Sequence, residues 1–395
     1  MQDRNDRIVI VGAKRTPIGA FEGALSPLRT PQLGAVAIRA AVAQASVQPN
    51  EVDEAIMGCC LFADLGQAPA RQAVLGAGLA PSTPATTISK MCGSAMKSVM
   101  LAHDLLLAGT CTVAVAGGME SMTNAPHLIP QARQGYRLGH GALLDHMYRD
   151  GLEDAYEGKL MGHYADVAAE LQGFTRAGQD EFAAESVTRA QAAVADGRFR
   201  DEIAPVTVKG RGGDIEITDD ETPARCNLDR LATLKPAFRK EGTVTAGNAS
   251  SISDGAAALV LMRESEAARR GATVLARFSG LATHAQAPSE FTSAPVGAIR
   301  RVLDKAGWTK DDVDLYEINE AFAVVTLYAM RELDLPHGKV NVNGGACALG
   351  HPVGATGARL LVSLLYALRQ RGLRRGVAAL CLGGGEATAM AIELA

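Results

Sequence analysis

The sequence predicts a layered α/β protein built from a duplicated unit, with a long segment inserted into the first copy. Three observations lead there. Short apolar runs ending in glycine, such as IVIVG at 8–12 and CTVAVAGGM at 111–119, alternate with stretches whose apolar residues recur at helical spacing. The same pattern returns from Val274 onward. TTISKMCGSAMK (86–97) then parallels KVNVNGGACALGHPVGATGAR (339–359), and CTVAVAGGMESM (111–122) parallels VAALCLGGGEATAM (377–390). Between Ser121 and about Ala246 the βα rhythm stops, replaced by Pro126, Pro130, Gly135, Gly139, Gly141 and dense charge.

Taken in order, Ile8–Gly12 reads as a buried strand, followed by a loop at Pro17 and Gly19 and a helix over Leu33–Ala45. Ala55–Met57 is a second strand, and Pro69–Leu79 a helix with Ala70, Ala73, Val74 and Ala77 facing inward. A β-rich approach at Thr86–Ile88 breaks at Cys92-Gly93-Ser94, and Ala95–Leu107 continues at helical period. In the insertion, Tyr164–Leu171 and Gln179–Asp196 read as helices and Lys209–Asp220 as a polar hairpin around Gly212-Gly213. His127, His140, His146 and His163 form no HxxxH pair and read as surface or satisfied polar groups. Gly247–Ser250 is a turn of small residues, and the alanine-rich run after Asp254-Gly255 fits a strand or a buried helix. In the second copy, Pro295–Lys305 and Ala323–Leu333 are helices, Asp312–Ile318 runs toward Asn319-Glu320, and the extended run Lys339–Val342 leads into a histidine loop. A helix follows from Ala358 to Arg369, then the strand Val377–Leu382 ending in three glycines.

Composition removes several function classes. At 395 residues the chain needs more than one core, and 47% apolar content supplies them. A net charge of −4 leaves no footprint for nucleic acid, and 4% aromatics leaves little for base stacking. Seven cysteines without a CxxC pair argue against disulfide, zinc or iron–sulfur frameworks and for a reducing compartment. The N-terminal MQDRNDR lacks the apolar core of a signal peptide, and no stretch reaches the roughly 20 apolar residues that span a bilayer. A cytoplasmic protein is expected.

The chemistry concentrates at strand-to-helix junctions, where open α/β sheets hold ligands. Cys92 is expected at a helix start, where free N–H groups and the helix dipole favour a thiolate. His351 sits among Gly344, Gly345, Gly350, Gly354 and Gly357, a loop built to present one imidazole. Cys381 precedes Gly383 and Gly384, whose N–H groups suit an oxyanion hole. Duplication would bring these loops and Asn319-Glu320 together about a pseudo-two-fold axis. Thiolate, base and oxyanion donors support acyl transfer through a thioester, and residue chemistry alone allows a cysteine hydrolase too.

Four motifs in order, TTISKMCGSAMKSVM, NEAFA (319–323), NVNGGACALGHPVGATGAR and CLGGG (381–385), resemble the thiolase family over essentially the whole chain. The resemblance implies a thiolase-type duplicated, layered α/β/α/β/α fold with an inserted loop domain. Residues 1–123 and 248–273 would form the N-terminal core domain, 124–247 the loop domain for coenzyme A binding and oligomerisation, and 274–395 the C-terminal core domain. It implies reversible Claisen condensation of two acetyl-CoA to acetoacetyl-CoA plus CoA. Degradative thiolysis of longer 3-ketoacyl-CoA, or an inactive interaction protein, are the alternatives. By the same resemblance Cys92 takes the acyl group, His351 activates it and joins a water on Asn319 at the enolate oxygen, and Cys381 moves the α-proton. The N–H groups of Cys92 and Gly383 form the other oxyanion hole. Ser250 and Ala249 line the pantetheine tunnel, and Met161, Leu160, Phe291 and Arg225 are further substrate or CoA contacts. Leu160 stands where many acetoacetyl-CoA-specific members carry histidine, Phe291 near a usual methionine, and Ala95 at a usual glycine. Glu386 replaces a frequent methionine or glycine, and Pro223 a usual arginine. The resemblance further implies a homo-oligomer, dimer or tetramer, with no metal or redox cofactor and no nucleic-acid or membrane partner.

Overall fold

The computed structural model describes residues 6–210 and 212–395. Met1–Asn5, most of the charged N-terminal run, and Arg211, at the expected polar hairpin, lie outside the described residues. The first copy supplies β1 (Ile8–Arg15), β2 (Gly19–Ala20), β3 (Glu54–Gly58), β4 (Ala85–Ile88) and β5 (Val113–Ser121), connected by α1 (Thr30–Gln44), α2 (Pro69–Gly76) and α3 (Ser94–Ala108). The insertion carries the hairpin β6 (His127–Leu128) and β7 (Leu144–Asp145), helices α4 (Met161–Gln172) and α5 (Arg176–Ala195), the hairpin β8 (Val206–Gly210) and β9 (Gly213–Ile217), and α6 (Glu221–Arg225). The chain then returns with β10 (Ser253–Arg263) and α7 (Glu264–Arg270); the alanine-rich run is a strand. The second copy comprises β11 (Ala276–Ala285), α8 (Ala294–Ala306), β12 (Leu315–Ile318), α9 (Ala323–Leu333), α10 (Ala346–Leu349), α11 (Thr356–Gln370), β13 (Arg375–Leu382) and β14 (Glu386–Leu394).

The duplication is written into the strand order. Among the described residues one ten-stranded sheet runs β12-β13-β14-β11-β1-β10-β5-β3-β4, with β2 on β10. From the β1–β11 seam outward, each side pairs antiparallel, antiparallel, then parallel: β1–β10–β5–β3 on one side, β11–β14–β13–β12 on the other. The seam itself is thin, with Val9 opposite Arg277 and Ile10 opposite Ala276.

One expected element is absent. β4 lies parallel to β3, but its counterpart at Lys339–Val342 is no strand; it is a short turn at His337–Lys339 and a single bridge from Val340 to Tyr316. Asn341 explains the difference. Its backbone turns to φ +47, and its side chain replaces the ladder: Oδ1 accepts from the Ile318 N–H and Nδ2 donates to the Ile318 carbonyl, both at 2.8 Å.

The layers follow from which helices are apolar all round. α11 is buried from Thr356 to Leu368, as a helix between two sheet faces must be. It packs with α3 in one cluster that also takes in β1, β5, β10, β13 and β14, while α1 and α2 cover one outer face and α8 and α9 the other. A Cβ at Gly357 would stand 2.5 Å from the Met96 backbone nitrogen, so α3 and α11 touch there through glycine alone. The fold is therefore a duplicated α/β/α/β/α stack. Buried Arg15, at the end of β1, anchors the insertion through Glu202 at 2.5 Å and both oxygens of Asp220 at 2.7 and 2.8 Å. No helix among the described residues is long and apolar enough to cross a membrane.

Candidate active site

Cys92 lies on the turn between β4 and α3. Ser94 closes that turn, its Oγ accepting from the Lys90 N–H at 2.8 Å and donating to the Met91 carbonyl at 2.6 Å. Met91 is forced to φ +47, an unusual conformation for a side chain of its size. The helix begins at Ser94 with Gly93 as its cap, so Cys92 stands just outside the helix rather than at its first position. This corrects the expected thiolate. Burial pushes the Cys92 thiol up to about 11, and the N–H groups of Gly383 and of Cys92 itself only partly offset it. Cys59 and Cys60 are deeper still, raised by burial and by the neighbouring Glu120 carboxylate.

His351 follows Gly350, whose φ of +102 favours glycine. Its Nδ1 lies 2.7 Å from Thr356 Oγ1, and that hydroxyl donates its proton to the Pro352 carbonyl at 2.9 Å. Thr356 has one proton to give, so it accepts from Nδ1–H, and Nε2 is left as the bare lone pair. Nε2 is buried without a hydrogen-bond partner, in a side chain that walls the pocket described below. Burial, reinforced by Arg359, pushes the imidazole down to about 3. It is a neutral base with its lone pair free.

Cys381 is the last residue but one of β13, and the turn into β14 is made by Gly383, Gly384 (φ +91) and Gly385 (φ +81). Burial and the nearby Cys92 raise the Cys381 thiol well above the ordinary cysteine value. Cys92, His351, Cys381 and Gly383 line one narrow pocket of about 60 Å³, together with Ser250, Met161 and Phe291. Leu152, Phe322 and Val353 complete its apolar wall. Phe322 was visible in NEAFA as one of few aromatics, whereas Leu152 arrives on an irregular helical turn of the insertion and carries no sequence signal.

Other expected residues stand back from that wall. Asn319 is buried behind it: Oδ1 accepts from Arg359 Nη2 at 3.4 Å, and Nδ2 has no hydrogen-bond partner. Ala249 is buried and bridged to Phe322, and Leu160 caps α4 beside Met161. Arg225 lines a separate cleft of about 230 Å³ with Gly247, Ser251 and Asn227, and pairs with Glu221. His146 is buried and satisfied, with Nδ1 on Asp150 at 2.6 Å and Nε2 accepting from the Ala63 N–H at 3.3 Å.

A supporting residue escaped the sequence reading. Buried Glu120, at the end of β5, accepts from the N–H groups of Cys60 at 2.8 Å, Leu61 at 3.3 Å and Gly354 at 3.0 Å. It thereby ties the histidine loop of the second copy to the first.

Comparison with known proteins identifies the family. Residues 8–265 match the thiolase N-terminal domain and residues 272–394 the thiolase C-terminal domain. The chain is 48% identical over 394 residues to an acetyl-CoA acetyltransferase of Pseudomonas aeruginosa, covering 99% of each. It is 47% identical over 388 residues to the acetyl-CoA acetyltransferase of Cupriavidus necator, covering 98% of this chain and 99% of that one. The crystal structure of the Bacillus anthracis acetyl-CoA acetyltransferase superposes with a TM-score of 0.96 at 43% identity, over 99% of both chains. With both domains matched, the strand order mirrored and two thiols and one imidazole lining the same pocket, the chain belongs to the thiolase family.

Proposed function

We propose that the protein is an acetyl-CoA C-acetyltransferase, condensing two acetyl-CoA to acetoacetyl-CoA and CoA and running the reverse thiolysis. The observation that carries this reading is the convergence of two thiols, one neutral imidazole with a free Nε2 and the Gly383 N–H on a single narrow pocket. Phe291, Leu152 and Met161 close its walls, which suits a two-carbon acyl group better than a long chain.

In the first half-reaction His351 Nε2 takes the Cys92 proton as sulfur attacks the acetyl carbonyl. The carbonyl oxygen turns toward the N–H groups of Cys92 and Gly383, CoA leaves, and His351 returns the proton to it. In the second, His351 Nε2 takes the Cys381 proton and the resulting thiolate removes an α-proton from acetyl-CoA. The enolate oxygen faces His351 and a water on the free Nδ2 of Asn319. The carbanion attacks the acetyl group, the bond to Cys92 sulfur breaks, and the proton held by His351 passes to the Cys92 thiolate, leaving Cys381 a thiol again. Raised thiol pKa values fit this scheme, because neither thiolate persists without substrate. Ser250, on the pocket wall, with Ala249 beside it would border the pantetheine path, and Arg225, in its separate cleft, would meet the adenine end.

Intact-protein mass spectrometry after acetyl-CoA treatment tests the roles. Cys92→Ser should show no acetyl adduct, while Cys381→Ser should still acetylate yet lose condensation and thiolysis. An adduct that persists in the first and vanishes in the second would reverse the assignment. Thiolysis rates that rise with acyl chain length beyond acetoacetyl-CoA would favour a degradative enzyme instead. We also infer a homo-oligomer in the cytoplasm, supported by exposed apolar side chains on the insertion, among them Leu138, Leu143 and Tyr156. A monomer by light scattering at micromolar concentration would contradict the oligomer, and export of the protein from growing cells would contradict the location.

A further inference from the structure

Lys90 and Glu386 lie 296 residues apart in the sequence yet form an ion pair, Nζ to Oε2. Lys90 stands two residues before Cys92 on the loop of the first copy. Glu386 opens β14, three residues after Gly383, on the hairpin of the second. The pair thus spans the two copies beside the reacting sulfur.

The loops it joins fit closely without it. Leu382 lies so near Gly93 that a Cβ there would overlap its side chain, and Met91 Cγ is 3.7 Å from where a Cβ at Gly383 would stand. Such packing limits how near the loops come, but it holds them together only through weak dispersion forces. An ion pair supplies attraction across the same gap. Its side chains are 24% and 36% exposed, and a pair so placed adds only about 0–1 kcal/mol to global stability. A role in stability explains little; a role in alignment explains more, since an N–H donor acts on sulfur only over a narrow range of distance and angle. What favours the Cys92 thiolate is the pair of backbone N–H groups of Gly383 and of Cys92 itself.

We propose that Lys90 and Glu386 are positioning residues whose ion pair draws the Gly383 hairpin onto the Cys92 loop and keeps the Gly383 N–H directed at the reacting sulfur. The proposal rests on Cys92 as nucleophile. The same N–H faces the acyl oxygen after transfer, so one clamp serves thiolate formation and the tetrahedral intermediate.

The test is the rate of Cys92 alkylation by iodoacetamide at about pH 8, where a lysine keeps its charge, with the label located by peptide mass spectrometry, in Glu386→Gln and Lys90→Met. The clamp makes both variants alkylate about threefold or more slowly, with acetylation by acetyl-CoA slowed about threefold or more. It leaves the melting temperature close to that of the unmodified enzyme. Direct charge effects make a different prediction: Glu386→Gln frees a lysine charge and speeds alkylation, while Lys90→Met slows it. Restoration by the reversed pair, Lys90→Glu with Glu386→Lys, supports the clamp. In the unmodified enzyme, raising ionic strength to about 0.5 M should also slow alkylation, since a partly exposed pair is screened; this arm needs no variant to fold. Unchanged rates, opposite changes in the two variants, or a reversed pair no better than either single change would overturn the clamp. A label in the unmodified enzyme on a residue other than Cys92 would overturn the nucleophile assignment, and it is seen before any variant is made.

Discussion

His351 and Thr356 form the smallest unit whose geometry decides chemistry. The threonine hydroxyl accepts from Nδ1 and so dictates which ring nitrogen is bare. Thr356→Val should leave Nδ1–H without a partner and shift the proton to Nε2, which can then no longer accept from Cys92. Single-turnover acetylation is expected to fall at least about tenfold, the worth of roughly one hydrogen bond to a charging group, while Thr356→Ser retains most of the rate. A valine variant that acylates normally would show that the tautomer is set elsewhere. Because burial holds the imidazole down to about 3, acylation kcat/KM should show no acid limb near the ordinary histidine value of about 6.5. These residues differ in how they could be read. Glycines flag loops at a glance, so Cys92, His351 and Cys381 were legible as a set. Their thiol pKa values were not, because desolvation depends on what the fold lays over them. Lys90 carried no signal, and Glu386 stood out only as a departure from a frequent methionine or glycine, until the fold joined them.

At the scale of elements, the regular strands and helices were legible wherever apolar residues kept a period. β4 and α3 fall where Thr86–Ile88 and Ala95–Leu107 announced them, within a residue or two. The missing partner strand at Lys339–Val342 was illegible for a physical reason: its backbone pairing was taken over by one asparagine side chain, and side-chain mimicry leaves no periodicity to read. Glu120 was equally silent, a carboxylate at a strand end whose partners lie far along the chain. Three N–H donors converge on it, yet burial outweighs them and raises its pKa to about 7. The sign follows from linkage: the folded state holds this proton between about 4.5 and 7 while the unfolded chain releases it, so the group's contribution to stability diminishes as pH rises through that window. Glu120→Gln keeps one acceptor oxygen but turns an amide toward other N–H donors. It should cost about 1–3 kcal/mol and flatten the slope of melting temperature against pH in that window. A slope identical to the unmodified enzyme's would assign the titration to another buried carboxylate, with Glu317 the next candidate because burial raises it as well.

The molecule as a whole is two mirrored sets of strands meeting at a seam two residue pairs wide. Each set brings one of the two thiols that line the pocket, Cys92 on one side and Cys381 on the other. What holds the sets together is the shared cluster between α3 and α11 far more than the seam. The only covalent crossing from β10 to β11 passes Gly271, at φ +65, where α7 ends. Physically, then, the polypeptide behaves as a heterodimer whose partners happen to be joined. The join contributes effective concentration, which a separate association can replace if the interface is apolar and large enough. A chain severed between Gly271 and Ala272 should yield fragments that each expose one face of a central helix and aggregate alone. Co-expressed, they should pair and recover thiolysis of acetoacetyl-CoA. A soluble, cooperatively melting fragment on its own, or a soluble pair without activity, would show that the peptide link does more than keep two half-enzymes within reach of each other.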